Sequence, residues 1–124
     1  MNPNIVNVTT IYGNTSSTSL TTTSATSLVS NAAASGKVFK INSIVVANID
    51  GTTAADITIN VYSAAALGGT AYPIASTISV PADATLIVTD KTTSFYLLEN
   101  QSIGATAGTA SDLVVTASWE EINS

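Results

Sequence analysis

The sequence predicts an all-β protein, an antiparallel sandwich of jelly-roll or immunoglobulin-like type with about eight strands and little or no helix. Three observations carry that expectation. Runs rich in Thr, Val and Ile recur along the chain, and each ends in Gly, Pro, Asn or Asp. Those turn signals return at intervals of about ten residues. No stretch combines an apolar 3.6-residue period with helix caps.

The longest run covers residues 37–49. It sets Phe39, Ile41, Ser43, Val45, Ala47 and Ile49 on one face and Val38, Lys40, Asn42, Ile44, Val46 and Asn48 on the other. Asp50-Gly51 turns the chain, and residues 56–62 alternate again, with Ile57, Ile59 and Val61 inward and Thr58, Asn60 and Tyr62 outward. The two runs are expected to pair as an antiparallel hairpin. Downstream, Ile74, Ser76, Ile78 and Val80 alternate until Pro81-Ala82-Asp83 ends the strand. Residues 85–89, with Leu86, Ile87 and Val88, read as a short buried strand, and 94–98 and 101–106 as further short strands. The last run, residues 112–122, places Leu113, Val115, Ala117 and Trp119 on one face. The core expected from these faces comprises Ile41, Val45, Ile57, Ile59, Ile78, Val80, Val88, Val115 and Trp119.

The first third gives a weaker signal. Residues 1–12 read as an N-terminal strand or arm, with a strand over 5–12, and residues 13–124 as one sandwich domain. Residues 13–36 are built mostly from Ser, Thr, Ala and Asn, a composition that suits a linker. Leu20, Leu28 and Val29 nevertheless allow short strands over 19–22 and 26–30. Residues 64–69 are the one place where a single helical turn is expected.

Composition limits the chemistry. The chain has 124 residues, 45% hydrophobic and 9% charged, with a mean hydropathy of +0.39. That is enough for one core and too apolar for a disordered chain. No apolar run exceeds four residues (44–47, 64–67), so no membrane helix is expected. The first residues hold no Lys or Arg and lead into no apolar stretch, so a secretory signal is not expected either. With no Cys and no His, disulfides, the usual zinc ligand sets and Ser-His or Cys-His pairs are ruled out. Three lysines and no arginine against eight carboxylates give a net charge of −5. Such a balance argues against nucleic acid and anionic membranes as partners. Twenty Thr and 16 Ser supply the polarity instead. A surface so poor in charge is either coated with hydroxyls or largely covered by partners.

Motif by motif, nothing assembles a catalytic, cofactor or metal site. The spacing Asn48-x-Asp50-x-Thr52-x-x-x-Asp56 could suggest calcium, but Gly51 and Ile59 stand where an EF-hand pattern fails, and a turn is expected. Glu120 and Glu121 are adjacent, so a strand points them opposite ways and they cannot act as a carboxylate pair. The sequons at Asn7, Asn14 and Asn100 match chance in so Ser/Thr-rich a chain. Gly68-Gly69-Thr70 and Gly104-x-x-x-Gly108 read as turn glycines. The outward Tyr62 and the loop residue Tyr72 are candidates for partner contact, since exposed tyrosines bring large area at low entropy cost. Pro3, Ile5, Val6 and Val8 join them, because an exposed apolar, uncharged arm needs a neighbour to cover it.

One stretch resembles a known group. The strings Lys-Val-Phe-Lys-Ile-Asn-Ser-Ile-Val-Val-Ala-Asn (37–48), Ile-Ala-Ser-Thr-Ile-Ser-Val-Pro-Ala-Asp-Ala-Thr-Leu-Ile-Val-Thr-Asp-Lys (74–91) and Phe-Tyr-Leu-Leu-Glu-Asn-Gln-Ser-Ile (95–103) resemble small virion structural proteins of tailed phages, particularly those of marine cyanobacteria. The ending Ser118-Trp-Glu-Glu-Ile is similar too, although that group usually has Tyr where Trp119 stands. The resemblance spans residues 37–122 and implies a β-sandwich accessory protein of capsid, neck or tail without enzymatic activity. It carries over no functional residue. Taken with the low charge, the lack of a catalytic set and the hydroxyl-rich β surface, the expected role is capsid decoration or cement, with the major capsid protein or other virion proteins as partners. The virion surface is then the expected location, after synthesis in the host cytoplasm. A homotrimer is favoured, since self-association buries a charge-poor exterior and an icosahedral shell presents local threefold axes. The alternative is an adhesive or carbohydrate-binding β module of a neck, tail or fibre.

Overall fold

In the computed structural model, which describes residues 2–123, the chain forms nine strands. In order they are β1 (Thr10–Leu20), β2 (Thr26–Asn31), β3 (Lys37–Asn48), β4 (Ala55–Ala64), β5 (Gly68–Val80), β6 (Thr85–Thr89), β7 (Phe95–Leu97), β8 (Gln101–Ala107) and β9 (Leu113–Asn123). A single 3-10 turn, Lys91–Thr93, separates β6 from β7. One sheet has the order β1-β9-β3-β6, with β7 continuing beside β3 next to β6; the other has the order β2-β8-β4-β5. All pairs are antiparallel. First thus pairs with last, second with next to last, and so on inward to the β4–β5 hairpin. That is jelly-roll order, which resolves the two sandwich types left open by the sequence.

The core between the sheets holds Leu20, Ile41, Ile44, Val46, Ile57, Ile59, Val80, Leu97, Ile103 and Val115. Phe39 and Trp119 pack with ring centroids 6.4 Å apart at a tilt of 32°. Where alternation is unbroken, the expected faces hold. Ile57 and Ile59 on β4, Val80 at the end of β5, and Leu113, Val115 and Ala117 on β9 are buried, with Trp119 half-buried against the cluster. Val88 on β6 also packs half-buried on the core.

Elsewhere bulges move side chains across the sheet. On β3 the pairing with β9 slips between Ile41 and Ser43, so Asn42 is an extra residue. Beyond it the inward set becomes Ile44, Val46 and Asn48, and Val45 lies on the outer face instead of in the core. On β5 the register with β4 slips three times, each slip adding a residue to β5. Thr77 adopts φ +50° there. Ile78, expected in the core, is 41% exposed on this edge strand. Ile74 is exposed as well.

The hairpin expected between residues 37–49 and 56–62 is not formed. β3 and β4 lie in opposite sheets, and residues 49–54 arch from one to the other. Asn48 makes that corner. It is buried, and its amide donates to Thr53 O at 3.0 Å and Val80 O at 2.9 Å while its Oδ1 accepts from Asp50 N–H. Asp50 then accepts from Thr52 N–H and Oγ1, both at 2.9 Å, and from Thr53 Oγ1 at 2.6 Å, closing an Asx-type turn. These bonds hold the Asp50 carboxyl at about 2, below its ordinary 3.8, with the Thr53 hydroxyl contributing most.

The true hairpin joins β4 to β5 through residues 65–67, where a helical turn was expected. Gly68 N–H closes it onto Ala65 O at 3.1 Å, and Ala66 and Leu67 adopt φ +56° and +59°. Such values are unfavourable for side chains with a Cβ. Neighbouring strands hold them. Ala65, Ala66 and Leu67 donate their N–H groups to Asn100 Oδ1, Ser30 Oγ and Ser102 Oγ at 3.1, 3.0 and 2.9 Å. Ser102 Oγ also donates to Ala64 O. The tip therefore folds over the outside of its own sheet. Gly104 makes room for it: a Cβ there would lie 2.7 Å from Leu67 Cδ2 and 3.0 Å from Tyr62 Cε2.

The N-terminal third is more regular than its composition suggests. β1 runs through the Ser/Thr-rich segment in eleven consecutive pairs with β9 and crosses the boundary expected at residues 12/13. The strand expected over 5–12 is not formed as such, since residues 5–7 make a turn and β1 begins at Thr10.

Candidate interaction surface

Among the described residues the charged side chains that come together are Lys37 with Glu121 and Lys40 beside Glu120, on neighbouring positions of β3 and β9. Among the described residues no group of three or more Asp or Glu side chains is placed to hold a metal ion. Asn48 and Asp50 are committed to the corner described above, so the calcium-like spacing serves a turn. Glu121 forms an ion pair with Lys37 at 2.5 Å, and Glu120 accepts from Asn42 Nδ2 at 3.3 Å. A cleft of about 230 Å³ opens between β5 and β6–β7, lined by Ile74, Val88, Thr89, Thr93 and Phe95. It is smaller than the usual small-molecule site, and nothing in its lining titrates.

The informative surfaces are faces and edges. On the outside of the β1-β9-β3-β6 sheet, paired residues line up in rows: Thr15, Ser118 and Ser43; then Ser17, Thr116, Val45 and Ile87; then Ser19, Val114, Ala47 and Thr85. Ser17 and Thr116 hydroxyls bond at 2.9 Å. These rows hold no charge and no side chain larger than Ile. Lys40 and Glu120, paired in register, mark the start of the charged end of the face.

The partner-contact candidates differ in exposure. Tyr72 projects from β5 and is 60% exposed, whereas Tyr62 on β4 is half-buried beside the hairpin tip. Ile5 and Val6 are exposed, Val6 at 83%, while Pro3 and Val8 are half-buried. The segment that carries them is tied to its own sandwich at two points. Glu99 N–H donates to Asn2 Oδ1 at 2.8 Å, and Thr9 N–H donates to Asn123 O at 2.9 Å. Sequence reasoning missed Ile11 and Tyr12 on β1 and Ile87 on β6, all more than half exposed. Strict alternation could have placed Ile87 outward, since it stands between Leu86 and Val88, both packed inward or half-covered.

No protein-family model matches the sequence, and no curated protein matches it. Among solved structures, the chain is similar to one from Bacillus endospore appendages, which are described as a novel family of disulfide-linked pili. The TM-score is 0.50, with 18% identity over 93% of this chain and 90% of that one. The likeness concerns the fold. None of these comparisons supports a phage origin, so the resemblance of residues 37–122 to phage virion proteins rests on the sequence strings alone.

Proposed function

We propose that this chain is a non-enzymatic structural protein that works within an assembly at the surface of a particle or appendage. The observation that carries this reading is the outer face of the β1-β9-β3-β6 sheet, with its uncharged rows of Thr, Ser, Val and Ala. A broad, charge-poor surface suits contact with another protein and presents no carboxylate or amine for chemistry. The similarity in fold to a pilus chain agrees with an assembled role. Because this chain has no cysteine, its copies would be held by non-covalent contacts rather than by disulfides.

The finer reading is decoration or cementing of a phage capsid, with the major capsid protein as partner and a trimer on local threefold axes. It draws on the resemblance of residues 37–122. A filament subunit is the second reading, favoured by the pilus likeness. Mixing the pure protein with phage heads and with tails, and sedimenting each, distinguishes them. Co-sedimentation with heads supports decoration. Filaments of the protein alone in electron micrographs support the second reading. Binding to a glycan array without association with particles or with itself would contradict both and favour the adhesive module.

A further inference from the structure

The sandwich has four sheet edges, one of them shared by β6 and β7, and three of the four carry devices that block further pairing. On one side, β5 has Pro73 and three bulges, and β6 and β7 are five and three residues long, interrupted by the turn that holds Asp90 and Lys91. On the other side, β2 has six residues and a bulge between Ser27 and Val29. Short strands, proline, charge and bulges are the usual means of keeping sheet edges from adding strands. β1 has none of them. It is eleven residues long, keeps unbroken register with β9, and contains neither Pro nor a charged side chain. Among the described residues its one strand partner is β9, so its far edge presents unpaired N–H and C=O groups along about 37 Å.

Charge says what would occupy that edge. All eleven charged side chains lie at residue 37 or beyond, so residues 1–36, which include β1 and β2, carry none. Two copies of a chain of net charge −5 repel each other least where both are neutral. A cationic partner would gain nothing from this edge and would favour the acidic loops instead. We infer that the free edge of β1 pairs antiparallel with β1 of a second copy of this chain, joining two sheets into one across a twofold axis. Identical edges meeting in this way form an isologous interface. The inference rests on the assembled role proposed above and adds its contact and symmetry. A twofold dimer is the unit it specifies, not a trimer.

Paired charge variants test it. Thr15 and Ser19 are exposed on β1, so Thr15→Lys with Ser19→Lys, and Thr15→Glu with Ser19→Glu, leave the core intact. Unchanged circular dichroism, and melting that matches the wild type at dilution where both are monomeric, would verify the fold of both. Sedimentation velocity of the wild-type chain should show a concentration-dependent dimer. Each variant alone should lose it, and an equimolar mixture of the two should regain it, because Lys then faces Glu across the axis. A wild-type chain that stays monomeric, or self-association that persists in both variants, would overturn the edge pairing. In the second case the structural role survives, because the copies still assemble through another surface. Particle binding by a strictly monomeric chain would likewise spare the role and remove the edge.

Discussion

The two long sides of this sandwich solve the same problem in opposite ways. Along β5, β6 and β7 the backbone is broken by Pro73, by three bulges and by the turn at Lys91–Thr93, and the β4–β5 tip is latched back by three side chains. Along β1 the strand is straight in register, uncharged and open. The first side is built to stay a boundary. The second lacks those devices, and its Ser/Thr content makes it wettable. Apolar residues alone would not reveal the difference, because both sides expose some: Tyr72, Ile74 and Ile78 on one, Ile11 and Tyr12 on the other.

The largest expected effect strikes the core that both sides share. Ile59 is fully buried between the sheets, and Ile59→Ala should cost about 2–5 kcal/mol in urea denaturation, from lost burial plus the cavity left behind. Wild-type stability would contradict the face assignment of β4. A smaller loss should single out the protected side. Gly104→Val forces atoms into the space of Leu67 and Tyr62, and overpacking of this kind costs about 1–3 kcal/mol. Its dimerisation should be unchanged, because the tip lies on the opposite sheet from β1. Altered self-association in that variant would mean the two sides are coupled.

Asn48→Ala should also cost about 1–3 kcal/mol, since it leaves the buried Val80 carbonyl without its donor. This corner joins the two sheets, so both sides should melt together. The smallest effect is a pH dependence. Asp50 titrates at about 2 in the folded chain against an ordinary 3.8, so the unfolded state takes up its proton first. Its stabilising contribution is complete above the ordinary value and disappears as pH falls toward 2. Asp50→Asn should flatten the fall in melting temperature across that window. An identical slope in both proteins would show that the Asx-type turn does not carry it.

How much of this was legible in the sequence follows from where the chain keeps simple alternation. β6 was read with its observed bounds, and β9 to within a residue, because Leu113, Val115 and Ala117 repeat without a bulge. β3 was placed, and β5 only over its second half, since Tyr72 and Pro73 read as loop; the faces of both failed past a bulge, because one inserted residue reverses every side chain beyond it and Asn42 and Thr77 carry no mark of doing so. The expected β3–β4 hairpin failed for a different reason. Local spacing records that a turn occurs at Asp50-Gly51, not that the chain changes sheets there. β1 was hardest, because hydroxyl side chains on an edge strand leave almost no hydrophobic period to read. The charge-free first 36 residues were visible all along, but their meaning depended on learning that they form one side of the molecule.

Amide hydrogen exchange compared between dilute and concentrated protein tests the central contrast most directly. Exchange reports whether a backbone N–H is bonded, and pairing between copies adds bonds at the joined edge as concentration rises. Protection should rise with concentration at alternate amides of Thr10–Leu20 and stay constant along Gly68–Val80. Constant protection on β1, or a rise confined to β5, would contradict the account.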